Sequence, residues 1–398
     1  TPLPTYGFDY SLVRNPDIDT AYNALITYVI PGSPAAQAGL ERGDWIMKVD
    51  TSYISKKYET YLLQGTKAVK LTLGEWKEVE IEDEEDGNDG GDGEDEGPTM
   101  EYRVVPIDDP VEMPAAQIVE DNPVHKYEII ESPIKKIRVG YLMYNSFTAG
   151  TKAEPEKYNN ELRSVSQKFK EAGVQAVILD LRYNEGGSMD CVQLLGTILT
   201  SADRLGEPMA YLEYNDKNTD KDATILFGTD REINLNLHSL IAITSGTTMG
   251  APEMLIRSLF LEDTYPIATV GSSTKGQNVA TEQFINEEFL WSVNPVVCTV
   301  YNSQHDTYGA ISPATDLKVS ETTIDGSTNY SEFLPFGTFD KDGKSERLLK
   351  IAIGVLDGTY PPKDDETPEE STTQTRFKVE KSASSPASRR FSSKGLRL

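Results

Sequence analysis
Basic residues are scarce in this 398-residue chain: 38 Lys and Arg stand against 64 Asp and Glu, a formal charge of −26. No phosphate-tracking basic face can be drawn from that balance, so nucleic acid is excluded as a partner. Cysteine is nearly absent. Cys191 and Cys298 permit one bridge at most, and neither has a ligand cluster beside it. Two unpaired thiols are the plainer expectation, one structural disulfide the alternative. The three histidines (His125, His238, His305) are scattered, so neither a metal nor a cofactor is expected. No apolar run reaches the roughly 18 residues that cross a bilayer. The sequence opens at Thr1 without a charged-then-apolar leader, so any export signal is expected to have been removed or never to have existed.

What is present is ordinary globular material, 38% hydrophobic and long enough for two or three domains. The first hundred residues read as short strands and turns. Ala24 to Ile30 is a β-branched run, Pro34 to Gly39 a short helix, and Trp45 to Val49 a second strand. Residues 56–64 suit a helix stopped by Gly65, and residues 68–73 a closing strand. Residues 80–97 pack acids and glycines with nothing apolar after Ile81. They are expected to form a solvated loop at the tip of a hairpin joining 77–81 to 101–105. A calcium loop is the sharper alternative, but the required register of acids around a central glycine is not met.

Beyond residue 135 the pattern changes to alternating strands and helices, the sign of a helix-covered, largely parallel sheet. Strands are predicted at 137–144, 176–181, 240–244 and 267–270, and helices at 156–172, 189–199, 250–261 and 346–356. The division expected is a β-rich domain over 1–107 carrying the acidic insertion 80–100, a linker over 108–135, a core domain over 136–360 and a tail over 361–398. That tail is rich in Pro and Ser and basic at its end, so it reads as unstructured or as a late docking segment.

Four segments carry chemistry. GSPAAQAGLERGDWIMKVD (32–50) has a short helix ended by Gly39 and a Gly43-Asp44 turn into a strand. AVILDLRYNEGGSM (176–189) delivers a buried strand to a Gly-Gly turn whose backbone can closely approach a tetrahedral oxyanion. ITSGTTMGAPEML (243–255) begins a helix, and GSSTKGQNV (271–279) is a Gly-rich turn. In that order these segments, with VGYLMYNSF (139–147) and YGAISPATD (308–316), resemble the carboxyl-terminal processing (tail-specific) protease family of Ser/Lys peptidases, which carry a PDZ domain.

The resemblance implies an α/β (α+β overall) fold: a ClpP/crotonase-like mixed sheet covered by helices, preceded by a small β-rich PDZ domain. PDZ domains bind extended peptides as an added strand, and Tyr6, Gly7 and Phe8 loosely match the loop that receives a terminal carboxylate. A PDZ kept only as packing scaffold is the plainer alternative. The Gly-Gly element matches at Asp180, Leu181, Arg182, Asn184, Gly186 and Gly187. Gly186 and Gly187, with Ala251, fall at the oxyanion hole, while Asp180, Arg182 and Asn184 support the cleft and brace its turn. Aligning Glu253 with the family's glutamate puts Gly250 on the nucleophilic serine, and the last turn puts Gln277 on the general-base lysine.

A serine attacks only when a neutral neighbouring amine takes its proton. Glycine offers no side-chain oxygen and a glutamine amide is a negligible base, so the resemblance implies peptide-bond hydrolysis in ancestry and its loss here. Whether the chain is an enzyme is therefore open. Two other readings stay open: a displaced hydroxyl at Ser245, Thr247 or Thr248 working with Lys275, or a nucleophile removed to trap substrate. A hydroxyl two residues along a helix start is swung about 200° around the axis. An envelope scaffold, whose acidic loop holds a basic partner or cations, is the remaining alternative. The partners implied are peptides or protein C-termini, with a membrane reached only through a lipid anchor absent from this chain. The resemblance also implies a bacterial envelope location, periplasmic or lipoprotein-anchored. Oligomeric state is not legible.

Overall fold
The computed structural model describes residues 3–81, 99–289, 291–319, 333–340, 342–360, 379–383 and 394–398. They form two compact units. One gathers the described residues of 1–120, 322–335 and 368–388; the other those of 121–321, 336–367 and 389–398.

In the first unit, β1 (Phe8–Arg14), β2 (Tyr22–Val29), β3 (Trp45–Val49), β5 (Val69–Ile81) and β6 (Thr99–Pro106) pair antiparallel in that order, with β4 (Ser52–Tyr53) on β3. Helix α1 (Pro34–Gln37) follows β2. Ser33 caps it by accepting the Ala36 N–H at 3.2 Å, and Gly39 leaves it with φ +79°. Helix α2 (Glu59–Leu63) buries Glu59 and Leu63. The apolar sides of these elements, among them Phe8, Tyr10, Leu12, Ile26, Ile46 and Leu71, enclose one small core. The predicted hairpin is present, with Ile81 opposite Thr99; its acidic tip (82–98) lies outside the described residues.

The stretch 108–135, expected as a linker, instead contributes two strands. β7 (Val111–Met113) pairs with β5, and β8 (Val124–Glu131) belongs to the second unit. Prolines at 110, 114 and 123 bound these runs and made the segment look like connection.

The second unit holds two sheets. In the first, β8 pairs antiparallel with β9 (Arg138–Tyr144). Then β10 (Ala176–Asp180), β14 (Leu240–Thr244) and β15 (Ile267–Gly271) follow in parallel. All five residues of β10 are buried, as expected for a strand covered on both faces. Helix α3 (Lys157–Glu171) turns Tyr158, Leu162, Val165 and Phe169 inward at helical spacing. It can approach because β9 carries Gly140: a Cβ there would lie 2.6 Å from the Phe169 ring.

The second sheet was not foreseen. It runs β11 (Gly186–Ser188), β21 (Gly395–Arg397), β16 (Val279–Thr281), β19 (Val296–Tyr301), β12 (Pro208–Tyr214), β13 (Ala223–Leu226). Helix α4 (Met189–Leu199) leaves β11, α5 (Ala251–Leu259) follows β14, and β17 (Phe284–Asn286) with β18 (Trp291–Val293) forms a separate hairpin. Helix α6 (Arg347–Asp357) is capped by Glu346, whose carboxylate accepts the Leu349 N–H at 2.9 Å, and ends at Gly358 with φ +76°.

Two strands come from the tail. β20 (Val379–Ala383) lies antiparallel on β1 in the first unit, and β21 (Gly395–Arg397) lies between β11 and β16 in the second, parallel to both. The tail is thus a docking segment at these residues; 361–378 and 384–393 lie outside the described ones. Both cysteines are buried and free, and burial pushes the Cys191 thiol up to about 12 and Cys298 to about 11.

Candidate functional site
Strand β10 ends in Asp180, and the chain turns through Leu181–Glu185 into β11. Asn184 shapes that turn. Its Nδ2 donates to the Tyr144 carbonyl at 2.9 Å, and its Oδ1 accepts the Gly186 N–H at 3.0 Å. The latter bond removes the Gly186 N–H from the three candidate oxyanion donors, leaving those of Gly187 and Ala251. Gly186 and Gly187 have φ +125° and +137°, and a Cβ on Gly187 would lie 2.7 Å from the Phe147 carbonyl carbon. Only glycine fits both constraints.

Arg182 acts elsewhere than expected. Its guanidinium turns away from the Gly-Gly turn into a fully buried cluster. There it donates to Asp180 (2.7–3.0 Å) and to Glu346 (2.9 and 3.2 Å), and Tyr141 Oη donates to Asp180 at 2.8 Å. Burial pushes the Asp180 carboxyl up, and Arg182 opposes it. Burial, then the Asp180 charge, holds the Tyr141 hydroxyl well above its ordinary range. Arg182 therefore ties the end of β10 to the start of α6. A buried cation two residues from one carboxylate is held by that acid and a second buried carboxylate, which together offset its desolvation.

Gly250 caps α5 with φ +70° and ψ −101°, a conformation that disfavours a side chain. Glu253, fully buried on the first turn, organises its surroundings. Its carboxylate accepts the N–H of Gly250 (2.8 Å), of Gly276 (2.5 Å) and of Gln277 (2.9 Å), together with the Thr274 hydroxyl. One carboxylate thus fixes the two positions that the family alignment assigns to nucleophile and base. The sequence grouped Glu253 with the catalytic positions through its alignment with the family's glutamate, without giving it this bracing role; an acid three residues past a helix start was the available sign.

The displaced-dyad alternative finds no geometry. Ser245 and Thr247 donate to the Arg182 carbonyl, and Thr248 donates to that of Leu181 at 2.9 Å. Lys275 is exposed; its backbone N–H donates to the Thr248 carbonyl at 3.0 Å, but among the described residues no hydrogen bond joins its ammonium to any of the three hydroxyls.

The remaining occupant is β21. Gly395 pairs with Gly186, Leu396 with Gly187, and the Gly395 N–H donates to the Glu185 carbonyl at 2.7 Å. A Cβ on Gly250 would lie 2.5 Å from Gly395 Cα and 2.6 Å from the Leu396 nitrogen, nearer still to the carbonyl carbon between them. An extended peptide therefore lies with one peptide bond directly over the nucleophile position.

In the first unit, Tyr6 and Phe8 are buried. Gly7 donates its N–H to Thr5 Oγ1 at 3.0 Å and accepts that of Ile30 at 2.8 Å. The expected carboxylate-receiving loop thus has its central N–H turned inward. The outer edge of β1, where a PDZ ligand would add, carries β20: Tyr10 faces Ala383 and Leu12 faces Lys381.

Among the described residues no cluster of His, Cys, Asp and Glu could hold a metal, and no helix is long and apolar enough to cross a membrane. Residues 138–293 match peptidase family S41, and residues 25–72 match the PDZ domain. A crystal structure from Bacteroides fragilis, of a protein assigned to the S41 proteases, shares 39% identity at a TM-score of 0.75. The match covers 90% of this chain and 84% of that one. The photosystem II D1 C-terminal processing protease matches at 17% identity and TM-score 0.41, over 80% of this chain and 74% of its own. A lipoprotein from Streptococcus agalactiae matches at 18% identity and TM-score 0.34, over 49% and 65%. No curated protein matches. On the extent and identity of the Bacteroides match, this α/β chain with its PDZ region belongs to peptidase family S41.

Proposed function
We propose that this chain is a catalytically degenerate S41 peptidase that binds peptides or protein C-termini without cutting them. The observation that supports this most is the cleft itself. A strand seat along β11 is preserved beside an ordered helix start, yet Gly250 and Gln277 offer neither hydroxyl nor amine. Losing such a dyad leaves at best the roughly 10³–10⁴-fold that binding and backbone donors supply. Peptide recognition needs none of the lost groups, because a parallel seat captures main chain and neighbouring pockets read side chains.

The test incubates the chain with unfolded protein and with peptides bearing apolar C-termini. Binding without product is expected. Reproducible cleavage that persists when Gly250 and Gln277 are changed would overturn the reading. The family habit places such a protein at the bacterial envelope, and cell fractionation checks that placement.

A further inference from the structure
We propose that the cleft selects a Gly-Leu pair in an extended, basic C-terminal segment, and that the ligand it holds is this chain's own Lys394–Leu398. The proposal rests on the peptide-binding reading above and names its ligand.

The fit is specific at each position. Gly395 has φ +88°, a conformation other L-residues rarely adopt. A Cβ there would lie 3.0 Å from Gln277 Cδ and nearer to Oε1. Gln277 Oε1 is itself buried without a hydrogen-bond partner. The amide thus crowds any side chain at this position, adding to the backbone conformation that already favours glycine, and its oxygen is a polar group held dry beside the ligand. Leu396, next in sequence, is 1% exposed and joins the main apolar cluster of the unit. Thr281 Oγ1 donates to the Leu396 carbonyl at 3.1 Å, and the Leu398 N–H donates to the Thr281 carbonyl at 3.0 Å. On the other flank Lys394 Nζ lies 3.3 Å from Glu185. Residues 389–398 carry four basic side chains and no acid, in a chain of net charge −26. Gln277, at the position the family resemblance assigns to the base, becomes a specificity-determining residue.

The experiment uses a labelled peptide, Ser-Ser-Lys-Gly-Leu-Arg-Leu, and fluorescence anisotropy. A chain ending at Ser393 should bind it at least about tenfold more tightly than the full chain, whose seat is filled. The same peptide with alanine at the glycine should lose at least about tenfold. Gln277→Ala should return part of that loss, a coupling that a merely structural glutamine would not give. Equal binding by full and shortened chains, or equal binding of the two peptides, overturns the proposal. A shortened chain that binds other apolar-ended peptides but not this one overturns the tail assignment alone; one that binds no peptide removes the peptide-binding reading with it.

Because β21 is an inner strand, the shortened chain can fail to fold. The full chain with Gly395→Val supplies a second measurement. Trypsin should cut after Lys394 at least about tenfold faster in that variant than in the parent. Equal rates would mean that the parent's tail is not held in the cleft.

Discussion
The tail is read twice, and the two readings differ in kind. On the first unit β20 lies at a sheet edge, paired on one side only, with an irregular register between Leu12 and Val13. In the second unit β21 is paired on both sides and carries a buried leucine into the core. An edge strand contributes main-chain bonds and can leave without opening a core. An inner strand cannot. The first seat is therefore built for exchange and the second for retention, although both are made from one segment.

The comparison can be broken at several points, and the largest effect is expected at the support beneath the inner seat. Arg182→Ala leaves Asp180 and Glu346 buried without their cation and should cost about 3–5 kcal/mol, read from denaturant midpoints. A loss below about 1 kcal/mol would show that the cluster does not hold β10 to α6. Next, Leu396→Ala should cost about 2–3 kcal/mol by emptying a buried site. A tail merely resting on the surface would show almost none.

On the edge seat, Lys381→Pro and Ser382→Pro test the contrary expectation. Neighbouring residues of a strand aim their N–H groups oppositely, so one of the two prolines must remove a bond to β1. Stability should fall by no more than about 1 kcal/mol, while added peptide should now protect β1 amides from hydrogen exchange. A larger loss would make β20 as integral as β21.

The smallest effect belongs to a group that touches neither seat. Asp357 accepts the N–H groups of Ile134 and Lys135, both at 3.0 Å. Burial pushes its carboxyl up, but these bonds outweigh it and hold it below the ordinary range. A depressed folded value means stabilisation that is complete above the unfolded carboxylate range, near pH 4. It is then lost as pH falls through the folded value. Asp357→Asn should flatten that acid limb by about 1 kcal/mol, measured as the difference between midpoints at pH 7 and pH 3.

The contrast between the seats also explains what the sequence could and could not reveal. Strands such as Ala176–Asp180 and helices such as Lys157–Glu171 announce themselves locally, through unbroken apolar runs or helical spacing. The proposed assignment of Gly250 rests on the close anchors Ala251 and Glu253, and that of Gln277 on a looser alignment with Lys275 two residues away. The turn of Arg182 toward Glu346 was not legible, since 164 residues separate the partners. Nor was β21. Gly-Leu-Arg among serines and arginines has no strand signature, and its conformation comes from β11 and β16, more than a hundred residues away in sequence.

Gly250 and Gly186 both face Gly395 so closely that a Cβ on either would strike the backbone of Gly395 or Leu396. That closeness constrains what position 250 can carry. A serine reintroduced at 250 collides with the tail, so it arrives as a destabilising change in every chain that still ends in Gly-Leu-Arg-Leu. The hydroxyl can return only after the tail has gone. On the proposed reading the two events are epistatic and directional: a hydroxyl at 250 becomes tolerable only in a chain whose tail strand has left.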